Sequence, residues 1–532
     1  MTNELQNLLD SGCALLYIKA SQYFGIDDAN EADFLQLLCG LKASAGAVVI
    51  SKNQKAVFVD GRYELAAKLT VSAKEFSIEP MSSKRITEWI ELNIPQDVKI
   101  AFDPKFFTHK TINKFKENLK DHEFIEIDLD GIFQVQKSKR DQEIISWPAD
   151  ENRFQQIYDL IEKNNLDGYL ICDPCSSAWL LNTRDLKTKN TPVVLGYLFV
   201  NKYKEKIFYK DESYKDGQQS FLQDISKLNK IGTDYNETPA FVRHRRLIDI
   251  KNPIPAIKCI KTDDEIDNIK KITLEDSRAI LDFIYWFDHN DNLTEMDCVE
   301  KIYALRKRSE NFVENSFDTI AAADEHSAIV HYSPTEKTNK SIDNFLLLDS
   351  GGQYKYGTTD ITRTLSKRTP TDQQKLYYTL VLKGYIAVAN ARLPKGTAGD
   401  IPDQLARKYL LEHSLDFNHG TGHGIGYMLG VHEGPVALSK NNKVPLQANM
   451  LLSNEPGVYI ENELGIRLEN MMIVKDDGEF ISFETISLVP FDRKFIDFSL
   501  LTDDEKTWLN NYNDNIINSL NFSDIDWLKN YS

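Results

Sequence analysis

Residues 345–365 read FLLLDSGGQYKYGTTDITRTL, an apolar run, a glycine-containing turn and a second apolar stretch. This pattern predicts two neighbouring β-strands of one hairpin. Asp349 lies at the end of the first run and Asp360 at the start of the second, so we expect the two carboxylates to lie on neighbouring strands. Burying such a carboxylate is costly unless a cation meets it. Taken alone, the two aspartates are equally compatible with turn and cap roles.

A glycine-rich segment follows downstream. Residues 419–435 read HGTGHGIGYMLGVHEGP and include His419, His423 and His432. The glycines allow the backbone to approach a ligand closely. Because the whole chain has only 10 histidines, three of them in one such segment favour a functional site over a purely structural role.

A third acidic segment lies near the C-terminus. Residues 449–474 read NMLLSNEPGVYIENELGIRLENMMIV and contain Glu455 and Glu469. A strand over residues 465–474 would direct Arg467 and Glu469 to one face and the apolar residues to the other. An ordinary amphipathic strand has the same alternation, so this segment becomes informative only beside the other two.

Together the three segments supply two aspartates, two glutamates and an imidazole. Such a ligand set suits hard or borderline divalent ions, Mn²⁺ above all and Fe²⁺, Co²⁺ or Zn²⁺ less well. Four clustered carboxylates would repel one another, and some would have to protonate without cations. Their four negative charges balance two divalent ions, so the sequence predicts a site for two metals.

The composition excludes some classes of partner. Among 532 residues, Lys plus Arg number 63 and Asp plus Glu number 80, a net charge of −17. This acidic balance argues against a nucleic-acid-binding protein and against attachment to an anionic membrane. We find neither a signal-peptide pattern nor a long apolar run, and the six cysteines are scattered, so we expect a cytoplasmic protein. The Cys172-Asp-Pro-Cys175 spacing is interpreted as coincidence.

Two segments near the front share one plan. Each begins with an apolar strand, continues with a helical stretch and ends with two apolar strands joined by a polar turn. The first comprises CALLYIKA, FLQLLCGLKAS, AGAVVI and KAVFVDGRY, and the second comprises LDGYLICD, SSAWLLNTRD, VVLGYLFV and EKIFYKD. We therefore predict a duplicated α/β unit.

Domain boundaries are expected at two places. The charged stretch 137–141 separates the front units, and two prolines in residues 251–255 disfavour helix and mark a linker. We place an N-terminal α/β domain at 1–138, a second, related α/β domain at 139–259 and an α+β domain with a C-terminal extension at 260–532.

The third domain contains helices with clear start signals. Thr262 can cap a helix with acidic residues in its first turn, a second capped helix starts near Thr294, and Thr371 with Gln374 suits a capping box. The first helix has apolar residues at helical spacing, namely Ile266, Ile269, Ile272, Ile280, Phe283 and Ile284. Short strands and glycine turns complete an α+β pattern.

Six fragments, in this order, resemble the pita-bread metallopeptidases, and above all the three-domain cytosolic Xaa-Pro aminopeptidases (aminopeptidases P). They are SFDTIAAADEHSAIVHYSP, DSGGQYKYGTTDITRTL, HGTGHGIGYMLGVHEGP, NEPGVY, GIRLEN and SFETISLVPFDRKFID. The likeness extends towards the N-terminus through DGRY, SAWLLNTR and IKTDDEIDNIKK. It implies a C-terminal pita-bread domain preceded by two creatinase-like N-terminal domains.

The resemblance also implies which residues bind metal. The five ligands would be Asp349, Asp360, His423, Glu455 and Glu469. Asp360 and Glu469 would bridge two divalent ions, for which Mn²⁺ is expected and Zn²⁺ or Co²⁺ is possible.

Other residues would contact the substrate. His331 and His432 match the family's catalytic histidines that are not ligands. His419 matches the histidine lining the proline pocket, and Arg467 matches the active-site arginine. By family likeness a homodimer is expected, with residues 491–512, including Phe495, Ile496 and Trp508, at a subunit interface or at the edge of a packed core.

The expected activity is removal of the first residue from peptides with proline at position two. Proline lacks an amide hydrogen, and its ring excludes ordinary peptidases. We hypothesise that a hydroxide bridging the two ions attacks the carbonyl of residue one. Glu455 would carry the proton to the departing proline nitrogen, while His331 and His432 would donate hydrogen bonds.

Three alternatives and two departures accompany this hypothesis. A prolidase is shorter, and a metal-free peptide-binding module or a creatinase-like enzyme is disfavoured by five filled ligand positions.

In the front domains, residues 40–46 read GLKASAG where the family has a Gly-Phe-x-Gly-Ser-Ala-Gly motif. Residues 190–192 read NTP where the family has adjacent Asn-Pro. Neither departure affects a ligand.

Overall fold

The computed structural model describes residues 2–19, 32–135, 141–210 and 216–532, with backbone alone at residues 216–220. These ranges form two compact units, Met1–Ile254 and Pro255–Ser532. The predicted first boundary, residues 137–141, lies outside the described ranges except for Asp141. None of the helices in these ranges has the length and apolar character needed to span a membrane.

The first unit contains a six-stranded sheet with strand order β4-β3-β2-β1-β5-β6. Its strands are β1 (Cys13–Ile18), β2 (Ala47–Ile50), β3 (Lys55–Val59), β4 (Ser77–Pro80), β5 (Lys99–Phe102) and β6 (Phe124–Glu126). Its helices are α1 (Asn3–Asp10), α2 (Phe34–Cys39), α3 (Glu64–Thr70), α4 (Ser83–Asn93), α5 (His109–Asn118) and α6 (Leu129–Phe133).

A second sheet in the same unit has the order β11-β10-β8-β12-β13. Its strands are β8 (Gly168–Ile171), β10 (Gly196–Asn201), β11 (Lys206–Lys210), β12 (Ile231–Thr233) and β13 (Leu247–Asp249). Its helices are α7 (Gln155–Lys163), α8 (Pro174–Leu181) and α9 (Asp216–Ser226), and a separate ladder joins β7 (Ile144–Ser146) to β9 (Thr183–Asp185).

The two sheets repeat one topology. In the first, β2 pairs antiparallel with both β1 and β3, whereas β1 pairs parallel with β5. In the second, β10 pairs antiparallel with both β8 and β11, whereas β8 pairs parallel with β12. The predicted duplication of an α/β unit is therefore confirmed.

The second unit holds the long helices. After α10 (Ile254–Lys258) come α11 (Asp263–His289), α12 (Glu295–Arg306), α13 (Asp372–Ala389), α14 (Asp400–Leu411), α15 (Asp503–Ser519) and α16 (Ile525–Tyr531). Capping boxes begin α11 at Thr262, α12 at Thr294 and α13 at Thr371, which confirms the predicted caps at the first two and the predicted box at the third. The six apolar residues predicted for the face of α11 are all buried.

Short strands surround these helices. They are β14 (Phe312–Asn315), β15 (Ile320–Ala323), β16 (Phe345–Ser350), β17 (Gly352–Tyr354), β18 (Gly357–Thr358), β19 (Ile361–Ser366), β20 (Leu393–Pro394), β21 (Gly422–His423), β22 (Ala437–Leu438), β23 (Leu451–Asn454), β24 (Gly457–Ile460), β25 (Leu464–Arg467), β26 (Asn470–Asp477) and β27 (Phe480–Thr485). The larger sheets are β15-β16-β19 and β20-β27-β26-β23.

Two local predictions were wrong. The expectation that two prolines disfavour helix in residues 251–255 fails at Ile254 and Pro255, the first two residues of α10, because a missing N–H there has no intrahelical partner to lose. The strand predicted over residues 465–474 is interrupted at Leu468 and Glu469, which separate β25 from β26.

The C-terminal segment packs into its own chain. Phe495 is 1% exposed and Ile496 is 6% exposed. The Phe495 ring stacks on Tyr378, and the half-buried Trp508 stacks on Tyr512. Of the two interpretations of this segment, the structure favours a packed core edge.

Candidate active site

The two aspartates are held by the β16–β19 ladder. Asp349 lies in β16 opposite Thr362, and Asp360 immediately precedes β19. The predicted neighbouring strands are therefore present, but the small hairpin β17–β18 is inserted between them. Both carboxylates are buried, with 9% and 5% of each residue exposed.

The loop before β21 is fixed from beneath by a buried ion pair. Arg407 of α14 pairs with Asp403 one turn earlier, and its guanidinium donates to the backbone carbonyl of His419 at 2.6 Å. The Thr421 hydroxyl donates to Asp403 at 2.8 Å. The residues between His419 and His423 are thereby held in one conformation.

The glycines in this loop allow backbone to approach backbone. A Cβ at Gly422 would lie 2.0 Å from the carbonyl oxygen of Ser453, and one at Gly424 would lie 2.2 Å from that of Glu433. Both contacts are far inside van der Waals distance. The sequence suggested that these glycines make room for a ligand, and the structure shows them making room for neighbouring backbone, in β23 and in the loop at Glu433.

The two glutamates come from different elements. Glu455 follows β23, and its backbone N–H donates to the Thr421 carbonyl at 2.7 Å. Glu469 lies in the break between β25 and β26, where its N–H donates to the Thr362 carbonyl at 3.1 Å and its carboxylate accepts from the Thr362 hydroxyl at 2.6 Å. The interruption of the predicted strand thus directs Glu469 towards β19.

The side chains converge on one point. One ligand atom each from Asp360, His423 and Glu469 lies within 4.8 Å of the others. His423 Nε2 is 3.3 Å from Asp360 Oδ2 and 3.4 Å from Glu455 Oε1. Asp349 Oδ2 accepts from Arg467 Nη2 at 2.7 Å, and Arg467 Nε lies 3.4 Å from the Thr362 hydroxyl that donates to Glu469.

The tautomer of His423 suits a metal ligand. Its Nδ1 lies 2.9 Å from the carbonyl oxygen of Gly424, a contact that requires a hydrogen on Nδ1. In the neutral ring, Nε2 then presents a lone pair towards the oxygens of Asp360 and Glu455. Lone pairs that face one another at this distance repel, and a cation between them would turn this repulsion into shared coordination.

Two carboxylate oxygens give independent support for bound cations. Asp349 Oδ1 and Glu469 Oε1 are buried and accept no hydrogen bond from any described residue. A buried carboxylate oxygen is costly to leave unsatisfied. Both atoms belong to residues expected to be ligands, so the residues present fit a pair of divalent ions.

The charges in the site act on one another. Burial, followed by the negative charges of Asp349 and Glu455, holds the pKa of Asp360 well above its usual range. Burial and then Asp360 likewise raise the pKa of Glu469. Burial also raises the pKa of Glu455, although His423 and Arg467 oppose it. These shifts express a density of negative charge that divalent ions would neutralise.

Sequence reasoning missed Tyr459. Its hydroxyl lies 2.9 Å from His419 Nε2 and accepts a hydrogen bond from Arg467 Nη1 at 2.7 Å. Burial raises the pKa of Tyr459 to about 12, so the phenol is neutral at physiological pH. Tyr459 therefore connects the expected proline-pocket histidine to the arginine that pairs with Asp349. The signal available beforehand was its place in the NEPGVY fragment.

The two other histidines lie at the rim. The ring of His432 packs edge-on against His423 with centroids 4.3 Å apart, and His432 is exposed. His331 is half-buried and follows Val330, whose carbonyl oxygen lies 3.4 Å from Arg467 Nη2. Phe417 packs against His419 with ring centroids 4.7 Å apart, which gives that side of the site an apolar wall.

Three parts of the chain match known protein families. Residues 267–476 match metallopeptidase family M24, residues 479–532 match the C-terminal region of peptidase M24, and residues 30–133 match the creatinase/prolidase N-terminal domain. The matches agree with the α+β fold class expected, a pita-bread domain preceded by creatinase-like α/β domains.

Similar proteins extend the likeness along the chain. Xaa-Pro aminopeptidase 1 of Dictyostelium discoideum is 32% identical over 95% of this chain and 92% of its own length. The crystal structure of an X-prolyl aminopeptidase from Caenorhabditis elegans, described as a cytosolic enzyme with a di-nuclear active site, superposes with a TM-score of 0.88 at 26% identity. That match covers 99% of this chain and 96% of the other.

A dipeptidase shares only part of the architecture. The Xaa-Pro dipeptidase from Bacillus anthracis superposes with a TM-score of 0.54 at 23% identity, covering 64% of this chain and 98% of its own, a likeness of fold alone. The Dictyostelium and Caenorhabditis proteins match this chain over almost its whole length, and this match shows the family. The chain belongs to the Xaa-Pro aminopeptidases, hydrolases of metallopeptidase family M24 with a pita-bread catalytic domain.

Proposed function

We propose that the protein removes the N-terminal residue from peptides whose second residue is proline. The observation that carries the proposal is the convergence of Asp360, His423 and Glu469 within 4.8 Å, with Glu455 also facing His423. The printed names of its relatives support the same activity.

Two divalent ions would be held by the five predicted ligands, Asp349, Asp360, His423, Glu455 and Glu469. Asp360 and Glu469 are proposed as the bridging pair. Oxygen-rich ligands with one imidazole favour Mn²⁺, with Zn²⁺ or Co²⁺ as substitutes. When bound, such ions would supply a hydroxide nucleophile near neutral pH and polarise the carbonyl of residue one.

Glu455 is proposed to move the proton. Its carboxylate accepts a hydrogen bond from the Ser453 hydroxyl at 3.2 Å, which orients it beside His423. From this position it would take a proton from water and deliver it to the departing proline nitrogen.

The rim residues are proposed to bind the peptide. His331 and His432 would donate hydrogen bonds to the peptide backbone and to the oxygen that gains negative charge. His419, with the Phe417 ring beside it, would line the pocket for the proline ring, and Arg467 would keep Asp349 in place. The free α-amine of the substrate would lie near the acidic cluster, which favours an exopeptidase.

Wider assignments belong to the same proposal. We place the enzyme in the cytoplasm as a homodimer, with domains at 1–138, 139–259 and 260–532. The buried or half-buried cysteines are all free thiols, which fits a reducing compartment. The net charge of −17 argues against nucleic acid and anionic membranes as partners.

The test is Glu455→Gln, compared with the exposed control Glu461→Gln. We expect the first variant to lose at least about a hundredfold in kcat on an Xaa-Pro-Xaa tripeptide, because proton transfer is lost, and the control to stay at the wild-type rate. Metal content is measured on both variants. Near-normal turnover by a metal-loaded Glu455→Gln variant would disprove the proton-transfer role.

A substrate comparison separates the nearest alternative. A dipeptide and a tripeptide with the same Xaa-Pro start are offered to the wild-type enzyme. The proposal requires hydrolysis of the tripeptide. Cleavage restricted to the dipeptide would identify a prolidase instead.

A further inference from the structure

The segment that carries His331 has little regular structure. Between the short 3₁₀ helix Asp324–Ala328 and strand β16, residues 329–344 contain no helix and no named strand. The backbone ladder that positions Asp349 is therefore unavailable to His331. Isolated backbone hydrogen bonds, such as that from the Tyr332 N–H to the Ile329 carbonyl at 3.0 Å, act there together with side-chain contacts.

One carboxylate holds the chain before His331. Glu295, the first residue of α12, is completely buried. Its Oε1 accepts a hydrogen bond from the backbone N–H of Ala323 at 2.8 Å and lies 2.8 Å from His326 Nδ1. Ala323 ends β15, and His326 lies in the 3₁₀ helix that leads to His331.

The other oxygen of the same carboxylate holds the chain after His331. Glu295 Oε2 accepts from the Tyr332 hydroxyl at 2.8 Å and from the Lys340 backbone N–H at 3.1 Å. The Glu295 backbone N–H also donates to the Lys340 carbonyl at 3.0 Å. One buried side chain thus connects both ends of the segment.

Helix capping does not account for Glu295. The cap of α12 is supplied by Thr294 and Asp297, whose side chains satisfy each other's backbone N–H groups. All four contacts of the Glu295 carboxylate are made outside its own helix. Because these four partners lie on both sides of His331, the Glu295 carboxylate stabilises the segment that carries His331.

The ring of Tyr332 is fixed as firmly as its hydroxyl. Tyr332 is 7% exposed and packs with Ile320, Ala322 and Leu347. On another side its ring centroid is 4.6 Å from that of His326. Since His331 is the adjacent residue, any displacement of Tyr332 displaces the backbone from which the His331 side chain extends.

The segment and the 3₁₀ helix before it also contact β25, the strand that carries Arg467. The Ser327 hydroxyl accepts from the Gly465 N–H at 2.6 Å, and Val330 O lies 3.4 Å from Arg467 Nη2. Displacement of the segment would therefore change the position of His331 relative to Arg467 and β25.

We propose that Glu295 and Tyr332 are positioning residues that place His331 against the bound peptide, acting through the Glu295 carboxylate shared by both ends of the segment. This inference rests on the proposed function, because it assigns His331 to the substrate. Neither residue touches the reacting atoms. Their effect must disappear when the His331 side chain is removed.

A double-mutant cycle tests this dependence. Tyr332→Phe, His331→Ala and the double variant are compared by kcat/KM on an Xaa-Pro-Xaa tripeptide, with metal content measured on each. We expect about a tenfold loss for Tyr332→Phe and about a hundredfold loss for His331→Ala, typical of a removed hydrogen-bond donor. The double variant should match His331→Ala within about twofold, because coupled residues are not additive.

Controls separate positioning from general damage to the fold. Tyr169→Phe removes another buried hydroxyl, which donates to the Ile250 carbonyl in the first unit, and should leave kcat/KM unchanged. Glu295→Gln should reproduce the loss seen in Tyr332→Phe. If Glu295→Gln fails to fold, the cycle with Tyr332→Phe still decides.

Three results would overturn the inference. Losses that multiply in the double variant would show that Tyr332 acts independently of His331. Full activity of Tyr332→Phe beside an impaired His331→Ala would remove the positioning role and leave the proposed function intact. Full activity of His331→Ala would remove both the inference and the role assigned to His331.

Discussion

At the scale of single residues, Tyr459 connects two predicted site residues, His419 and Arg467. In the neutral His419 ring, Nδ1 faces the Gly420 carbonyl at 2.7 Å and so carries the hydrogen, which leaves Nε2 to accept from the Tyr459 hydroxyl. The same phenol oxygen accepts from Arg467. The Tyr459 hydroxyl thus donates to His419 and accepts from Arg467, which in turn donates to Asp349.

Tyr459→Phe should therefore weaken catalysis without removing the metals. The change leaves a buried guanidinium donor without an acceptor, which costs about 1–3 kcal/mol, and it frees His419 to rotate. We expect kcat/KM on a tripeptide to fall about tenfold, with metal content unchanged. The matched control is Tyr356→Phe at a residue that is 43% exposed. Equal activity in both variants would show that the connection has no catalytic role.

At the scale of elements, local signals predicted the helices well. Thr262, Thr294 and Thr371 each carry the capping pattern within four residues, so the sequence contains everything needed to start those helices. The front hairpin β2–β3 was predictable for the same reason, because its turn is local: the Ser51 N–H donates to the Gln54 carbonyl at 2.8 Å.

Elements defined by distant partners were less predictable. The alternation over residues 465–474 indicated which side chains share a face, but the strand is interrupted because β25 pairs with β24 while β26 pairs with β23 and β27. The ligand candidates came from local fragments and the family resemblance. Tyr459 and Glu295 were missed because their roles depend on contacts with residues distant in sequence.

A buried ion cluster joins the start of the catalytic unit to the His432 loop. Glu433 is 5% exposed, and its carboxylate pairs with Lys258 at 2.7 Å and also with Lys261. Both lysines precede α11, since Lys258 ends α10 and Lys261 lies two residues before Asp263. Two buried ammonium groups thus share one carboxylate beside a residue proposed to bind substrate.

Glu433→Gln should destabilise the catalytic unit strongly. Leaving buried charges without their partner costs about 3–5 kcal/mol, which corresponds to a fall in Tm of roughly 6–20 °C for a unit of this size. Thermal unfolding followed by circular dichroism measures it, with the exposed Glu463→Gln as control. A variant that melts within about 1 °C of the wild type would contradict a stabilising role for this cluster.

At the scale of the whole molecule, a duplicated sheet unit precedes a single catalytic unit. The two front sheets have the same strand pairing. Their two sequence segments resemble each other in the order of apolar and polar stretches more than in residue identity. The likeness to the worm X-prolyl aminopeptidase spans nearly all of both chains, whereas the dipeptidase match leaves about a third of this chain uncovered. This chain therefore shares nearly its whole length with the worm enzyme and only about two thirds of it with the dipeptidase.

The central claim is that five residues distant in sequence bind a pair of divalent ions on which hydrolysis depends. Elemental analysis of the purified protein, together with hydrolysis of a short Xaa-Pro-Xaa peptide before chelation, after chelation and after return of Mn²⁺, tests it directly. We expect two divalent ions per chain, activity lost on chelation and activity restored by Mn²⁺. A purified protein that cleaves the peptide while containing no metal would contradict it.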